Sequence, residues 1–130
     1  MAEPKPRVFE FEVAYDGAAR ATAKGVTVDV PEAWMPEHLV LAAVLECSLT
    51  SLRYHAGHAG IEVEANGEAN GTVTRREEDG RFAFVDVECR FDVTLTPPPA
   101  DLDALLRKAE RDCFVGASLT AKPRYVWNVT

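Results

Sequence analysis

Two cysteines of the chain stand where thiol chemistry could take place. Cys47 lies in PEHLVLAAVLECSLTSL, which reads as a largely apolar helix, and Glu37 stands ten positions before it. Cys113 closes a second predicted helix, in AERDCFVGASL. Peroxide reduction uses such a pair, because a sulfenic acid on one cysteine condenses with a second thiol. The residues suggest Cys47 and Cys113 as an attacking and a resolving thiol, although either alone would be read as a core residue.

The third cysteine, Cys89, occupies an apolar position in the alternating strand pattern FAFVDVECRFDVTL. Cysteine is among the most buried residue types and packs as a small hydrophobe, so we expect Cys89 in the core. An odd count of three cysteines also argues against a framework made only of disulfides.

The histidines raise the alternative of a metal site. His55 and His58 form an HxxH pair at the end of the first helix, and His38 lies near its start. No cysteine or carboxylate follows them at zinc-ligand spacing, and a structural zinc needs four well-spaced ligands. We therefore predict solvated histidines and no metal. The chain also lacks a GxSxG elbow and a glycine-rich phosphate loop, so no cofactor is predicted.

The elements that position these residues follow from hydrophobic periodicity and turn signals. Period-two alternation predicts strands at 8–15, 20–24, 26–30, 61–75, 82–95 and 125–129, and helical spacing predicts helices at 37–58 and 101–113. Glu78-Asp79-Gly80 indicates a hairpin turn between the two longest strands. The order β-β-β-α-β-β-α-β predicts one α+β domain over residues 1–130.

The first helix is apolar around much of its circumference, and it has no helix breaker before Gly57. A helix with so little polar surface is buried on most sides. We expect a sheet, a partner subunit, or both to cover it.

Composition and charge exclude several classes of partner. The 130 residues carry a net charge of −7 without a basic block, whereas nucleic acids and anionic membranes bind clustered Lys and Arg. No apolar run approaches the roughly 20 residues that span a bilayer, and the amino end lacks the apolar core of a signal peptide. We expect a cytoplasmic protein that binds neither nucleic acid nor membrane.

Two longer segments resemble the signatures of a known family. PEHLVLAAVLECSLTSLRYHAGHAGIEVE resembles the central helix of the OsmC/Ohr family of organic hydroperoxide reductases, with Glu37, Cys47 and Gly60-Ile61 in register. DLDALLRKAERDCFVGASL resembles the family's second signature, with Cys113 on its second cysteine and Phe114 where the family commonly has proline. The order of elements is similar too, so the resemblance covers nearly the whole chain.

The resemblance implies an OsmC-like fold, in which an antiparallel sheet wraps around long central helices and two chains form an intertwined homodimer. Along a straight helix Glu37 and Cys47 are about 15 Å apart and differ by roughly 80° around the axis, so they cannot share a pocket within one chain. Two antiparallel copies of the helix could bring Glu37 of one chain toward Cys47 of the other. We therefore predict an obligate homodimer.

The resemblance also implies an activity. Cys47 as a thiolate attacks a hydroperoxide, Cys113 resolves the sulfenic acid as a disulfide, and an external dithiol reduces that disulfide. An arginine, oriented by the glutamate at the start of the helix, activates the first thiol. Arg20 is the best-placed candidate, with Gly17 at that position in another alignment and Arg53 as the fallback.

Apolar residues expected near Cys47, namely Leu41, Val44 and Trp34, favour organic hydroperoxides over hydrogen peroxide. The favoured prediction is a redox-active peroxidase of the oxidative stress response. Two other interpretations stay open. One is a dimeric module of the same fold that binds a small apolar ligand with slow thiols. The other is a thioesterase-like α+β dimer, a fold that usually has one long helix and needs no second helix ending in cysteine.

Overall fold

The computed structural model describes residues 6–130, and the chain divides into two compact units. The described residues before Pro36 form the first unit, and Pro36–Thr130 form the second. Their helices and strands confirm the predicted α+β class. That a single domain spans the whole chain stays a prediction.

The first unit contains an antiparallel sheet of three short strands. These are β1 (Ala14–Tyr15), β2 (Arg20–Ala23) and β3 (Val26–Asp29), in that order. At the turn between β1 and β2, Asp16 accepts the backbone N–H of Ala18 at 2.7 Å and the side-chain Nε–H of Arg20 at 2.8 Å. These bonds fix the turn and hold the guanidinium of Arg20 against a carboxylate.

The first strand is shorter than its alternating sequence predicts. Alternation predicts a strand over 8–15, but only Ala14–Tyr15 pair with β2. A strand needs a neighbour for its backbone groups. β2 has only four residues, and the chain turns after it at Gly25, which has a positive φ of 75°. Within this unit, β2 is therefore too short to pair with residues 8–13.

The second unit combines a long helix with a three-stranded sheet and two shorter helices. The helices are α1 (Pro36–His58), α2 (Leu102–Arg111) and α3 (Phe114–Ser118), and the strands are β4 (Glu62–Arg75), β5 (Phe82–Thr96) and β6 (Arg124–Val129). β4 and β5 form the predicted antiparallel hairpin, whereas β6 pairs with β5 in parallel. This pair departs from a purely antiparallel sheet because the chain crosses over through α2 and α3.

Alternate residues of β5 form the centre of the core. Val87, Cys89, Phe91, Val93 and Leu95 share one face of the strand and are at most 4% exposed. The core cluster is completed from the helices mainly by Val44, Leu52, Ala56, Leu105 and Ala109. The prediction that Cys89 lies in the core is confirmed.

The long helix α1 buries one face and exposes another. Leu39 and Tyr54 remain 41% and 57% exposed, so the described residues cover α1 less completely than its apolar composition predicts. Among the described residues, no helix has both the length and the apolar character needed to cross a membrane.

The second predicted helix ends before its cysteine, and a short further helix follows it. α2 ends at Arg111, and Cys113 takes an extended backbone, with φ −80° and ψ 100°, before α3 begins. The Cys113 side chain then caps α3 by accepting the backbone N–H of Gly116. The prediction of one helix over 101–113 is therefore wrong at its end, because Cys113 serves as a cap rather than as a helical residue.

Candidate active site

Cys47 and Cys113 approach each other where α1 passes the start of α3. The sulfur of Cys47 accepts the backbone N–H of Val115 at 3.5 Å, and the Cys113 thiol lies close enough to raise the pKa of Cys47. Both cysteines are free thiols. The structure thus places side by side the two cysteines that the sequence singles out.

The two thiols differ in their access to solvent. Cys47 is half-buried, whereas Cys113 has no exposed surface. Cys113 Sγ accepts the N–H of Gly116 at 3.4 Å and lies 3.3 Å from the hydroxyl oxygen of Ser48. A small molecule that arrives from solvent therefore meets Cys47 first.

Two hydroxyl groups lie beside Cys113, and the sequence alone does not indicate them. Ser48 is fully buried and donates to the carbonyl oxygen of Val44 at 2.7 Å. The hydroxyl of Tyr125 lies close enough to both residues for Ser48 to lower, and Cys113 to raise, the pKa of Tyr125. A Cβ on Gly116 would stand 2.8 Å from the Tyr125 hydroxyl, so glycine leaves room for it. The one indication in the sequence is that Ser48 follows Val44 by four residues and so lies on the same face of the helix.

The surroundings of Cys47 favour its neutral form. Burial raises the pKa of the Cys47 thiol and the nearby Cys113 raises it further, while backbone N–H groups of Val115 and Phe114 lower it. No cation of the described residues is among these groups. Burial also raises the pKa of Cys89 to about 11 and raises the pKa of Tyr125. As folded here, the Cys47 thiol is protonated at neutral pH.

The other residues suggested for catalysis are not among the groups that act most on the pKa of Cys47. Glu37 is exposed in the first turn of α1. Because α1 is unbroken from there to Cys47, the two residues are about 15 Å apart. Arg20 begins β2 and is paired with Asp16 at 2.8 Å, and Arg53 is exposed on α1. Their role in thiol activation stays a prediction.

His55 links α1 to the end of α2. Its Nε2 lies 2.7 Å from Oδ2 of Asp112, and its side chain is 15% exposed. The prediction of a solvated histidine is therefore wrong for His55, because the end of α2 packs over it. His58 is exposed and its Nδ1 lies 2.9 Å from the carbonyl oxygen of Tyr54. Within residues 6–130, no three His, Cys, Asp or Glu side chains are grouped to hold a metal ion.

The apolar residues expected near Cys47 lie in different places. Val44 is fully buried and stands three positions before Cys47 on α1, while Leu41 packs against the core cluster. Trp34 belongs to the first unit and is 44% exposed. Two of the three side chains, Leu41 and Val44, therefore belong to the same unit as Cys47.

The chain matches a known protein family. A family model described as OsmC-like protein matches residues 29–128 of the chain. The chain belongs to the OsmC-like family. The matched region includes both Cys47 and Cys113 and nearly all of the second unit.

Solved OsmC-like structures share the fold of the chain. An OsmC-like protein from Mycoplasma pneumoniae has a TM-score of 0.71 at 12% identity, over 94% of this chain and 96% of that one. The organic hydroperoxide resistance protein OhrB of Bacillus subtilis has a TM-score of 0.58 at 19% identity, over 94% and 98% of the two chains. An organic hydroperoxide resistance protein from Elizabethkingia anophelis has a TM-score of 0.63 at 19% identity, over 97% of this chain and 99% of that one. Comparison with curated protein sequences gives no match. At these identities the likeness establishes the OsmC-like fold.

Proposed function

We propose that this OsmC-like protein is a thiol-dependent peroxidase that reduces organic hydroperoxides, and hydrogen peroxide less well. The observation that carries the proposal is the approach of half-buried Cys47 to fully buried Cys113. Peroxide reduction by two thiols requires them within reach of each other. Two similar structures are organic hydroperoxide resistance proteins by name, which supports this class of substrate.

The proposed reaction has three steps. The thiolate of Cys47 attacks the distal peroxide oxygen, the O–O bond breaks, and the departing alkoxide takes a proton to become an alcohol. Cys113 then attacks the sulfur of the Cys47 sulfenic acid, so that an S–S bond forms, the S–O bond breaks and water leaves with the Cys113 proton. An external dithiol, which the cytoplasm would supply, reduces the disulfide by two exchange reactions.

Activation of Cys47 is the step that needs help, since burial raises the pKa of its thiol. A guanidinium beside a thiolate lowers the pKa because it stabilises the charged form. We assign this role to Arg20, as the family resemblance implies, and assign to Glu37 the orientation of its planar group.

An obligate homodimer is part of the proposal. Because α1 is continuous, Glu37 can act near Cys47 only from a second copy of the chain. In the single chain Val8, Phe11 and Val13 are 77%, 79% and 67% exposed. Monomeric proteins rarely expose so many neighbouring large apolar side chains, and a second copy would bury them.

Peroxide consumption by single-cysteine variants tests the proposal. With dithiothreitol as reductant, we expect the wild type to consume cumene hydroperoxide faster than hydrogen peroxide. Cys47→Ser should abolish turnover, whereas the matched variant Cys89→Ala should retain it, since Cys89 lies in the core. Full turnover in Cys47→Ser would refute the assignment.

A second candidate is a module of the same fold that binds a small apolar ligand while its thiols react slowly. The observation that favours it is the raised pKa of Cys47, with no cation of the described residues among the groups that act on it most. Saturable binding of an apolar fluorescent probe by a wild type that consumes no hydroperoxide would support this candidate.

A further inference from the structure

The pocket around Cys113 can accommodate a neutral thiol. The carbonyl oxygen of Val44 can only accept, and it receives the Ser48 hydroxyl at 2.7 Å, with Cys113 Sγ 3.9 Å away. Ser48 has a single hydrogen, so while that hydrogen lies on Val44 its oxygen is free to accept from another donor. The Cys113 S–H, 3.3 Å from the Ser48 oxygen, can be that donor.

The same pocket can also accommodate a thiolate. A thiolate only accepts hydrogen bonds, so the hydrogens around it must point at the sulfur. Rotation of the Ser48 hydroxyl about its Cβ–Oγ bond can move its hydrogen from the carbonyl of Val44 to the sulfur of Cys113. The backbone N–H of Gly116 already donates to that sulfur at 3.4 Å, and the Tyr125 hydroxyl is near enough for Cys113 to raise its pKa. Three donors are therefore available to the charged form.

The Ser48 hydroxyl is held next to the Cys113 sulfur away from solvent. Ser48 and Cys113 have no exposed surface, and a Cβ on Gly116 would lie 2.8 Å from the Tyr125 hydroxyl and 3.3 Å from the Cys113 sulfur. Fixed donors in a dry site stabilise developing charge without reorganisation.

The titratable groups that face Cys113 come from three elements of the described chain. They are Cys47 from α1, Cys89 from β5 and Tyr125 from β6, and burial raises the pKa of each. All three are therefore neutral at neutral pH in this arrangement, which leaves the hydrogen-bond donors as the groups that can stabilise a charge on Cys113.

We propose that the hydroxyls of Ser48 and Tyr125 stabilise the thiolate of Cys113 and thereby set the rate at which it attacks oxidised Cys47. This inference rests on the proposed function, in which Cys113 resolves the Cys47 sulfenic acid. In that step the new S–S bond forms and the S–O bond of the sulfenic acid breaks, with both electrons of the S–O bond leaving on the oxygen. The resulting hydroxide takes up the proton of the Cys113 thiol and leaves as water.

A peroxide-free assay isolates this step. Ellman's reagent added to the reduced protein forms a mixed disulfide on the accessible Cys47 and releases one aromatic thiolate. Attack by Cys113 then displaces a second aromatic thiolate, in a phase whose rate does not depend on reagent concentration. Cys113→Ser should lose this second phase, which identifies it.

Ser48→Ala and Tyr125→Phe are the variants to compare over a range of pH. Each removes one donor to a charged sulfur, so we expect the second phase to slow about tenfold at neutral pH and its pH midpoint to rise by about one unit. Ser51→Ala is the matched control, because the Ser51 hydroxyl is buried on the same helix and has no hydrogen-bond partner among residues 6–130. It should leave both phases unchanged.

The inference is overturned if Ser48→Ala and Tyr125→Phe keep the rate and pH midpoint of the wild type, or if Ser51→Ala slows the second phase equally. It is also overturned if the wild type shows no second phase. Should Ser48→Ala fail to fold, Tyr125→Phe decides, since it keeps the ring. A protein that shows the expected second-phase effects but consumes no hydroperoxide would contradict only the peroxidase proposal.

Discussion

Cys47 on α1 and Cys113, the residue that caps α3, are far apart in the sequence but close enough in the fold for the Cys113 thiol to raise the pKa of Cys47. The extended backbone at Cys113 ends the second helical segment and starts a short third one. It also directs the N–H groups of Phe114 and Val115 toward the Cys47 sulfur. One short segment therefore supplies both the second thiol and two donors to the first.

Phe114→Pro should slow the reaction of Cys47 while leaving the fold intact. Proline is tolerated at the first position of a helix, where Phe114 stands, but it has no N–H to donate. Loss of that donor should raise the pKa of Cys47 further, so its alkylation by iodoacetamide at neutral pH should slow by about three- to tenfold. Phe114→Ala keeps the N–H and should match the wild type. Equal rates in the two variants would show that this donor has no effect.

Arg20→Lys should lower peroxide turnover about tenfold or more and move the alkylation of Cys47 to higher pH. A lysine keeps the charge but cannot reproduce the planar donor geometry of the guanidinium. Arg53→Lys is the control, since Arg53 is exposed on the same helix as Cys47. If only Arg53→Lys lowered turnover, Arg53 would be the residue that activates Cys47. If neither variant lowered turnover, no arginine of this pair would activate Cys47.

Gly116→Ala should destabilise the protein by about 1–3 kcal/mol, since overpacking a tight site forces neighbours apart. The added Cβ would stand 2.8 Å from the hydroxyl of Tyr125 and 3.3 Å from the sulfur of Cys113. Gly57→Ala is the matched control, because a Cβ there meets nothing within 4 Å, and in a helix it should stabilise by up to about 1 kcal/mol. Urea unfolding of the two variants measures the difference, and equal stabilities would contradict the tight packing.

Asp112→Asn should remove part of the acid sensitivity of folding. Hydrogen bonds from Arg111 and then His55 lower the pKa of Asp112 from 3.8 to about 2. A depressed carboxyl pKa stabilises the folded state above the unfolded value, and this stabilisation is lost progressively as the pH falls from about 5 to about 1. The free energy of unfolding of Asp112→Asn should thus lie below that of the wild type at neutral pH and converge with it only below about pH 2.

An exposed carboxylate on α1 provides the comparison for that experiment. Glu46→Gln changes a residue in solvent, so its free energy of unfolding should follow that of the wild type throughout the titration. If Asp112→Asn behaved like Glu46→Gln, the contacts of Asp112 with Arg111 and His55 would contribute nothing to the stability of the fold.

Much of the second unit is predictable from local patterns. The helix at Pro36–His58 and the strand at Phe82–Thr96 agree with the predictions to within one residue at each end, because each carries a long periodic signal that a core can use. The same alternation fails at residues 8–13, since alternation indicates a strand only where a partner edge exists.

The surroundings of Cys113 could not be predicted in the same way. Ser48 and Tyr125 meet its sulfur from a helix and from the last strand, and no spacing within the sequence links those two residues. The sequence likewise predicts His55 in solvent. Its burial comes from the contact with Asp112 at the end of α2, which the pattern of α1 does not show. Pairings of this kind depend on packing between elements, whereas sequence patterns report only on each element alone.

Mass mapping of the protein after treatment with one equivalent of cumene hydroperoxide shows whether Cys47 and Cys113 react as a pair. We predict that a single disulfide forms, that it joins Cys47 to Cys113, and that Cys89 in the core stays reduced. Recovery of both Cys47 and Cys113 as free thiols, or of a disulfide that includes Cys89, would show that Cys47 and Cys113 are not the attacking and resolving thiols.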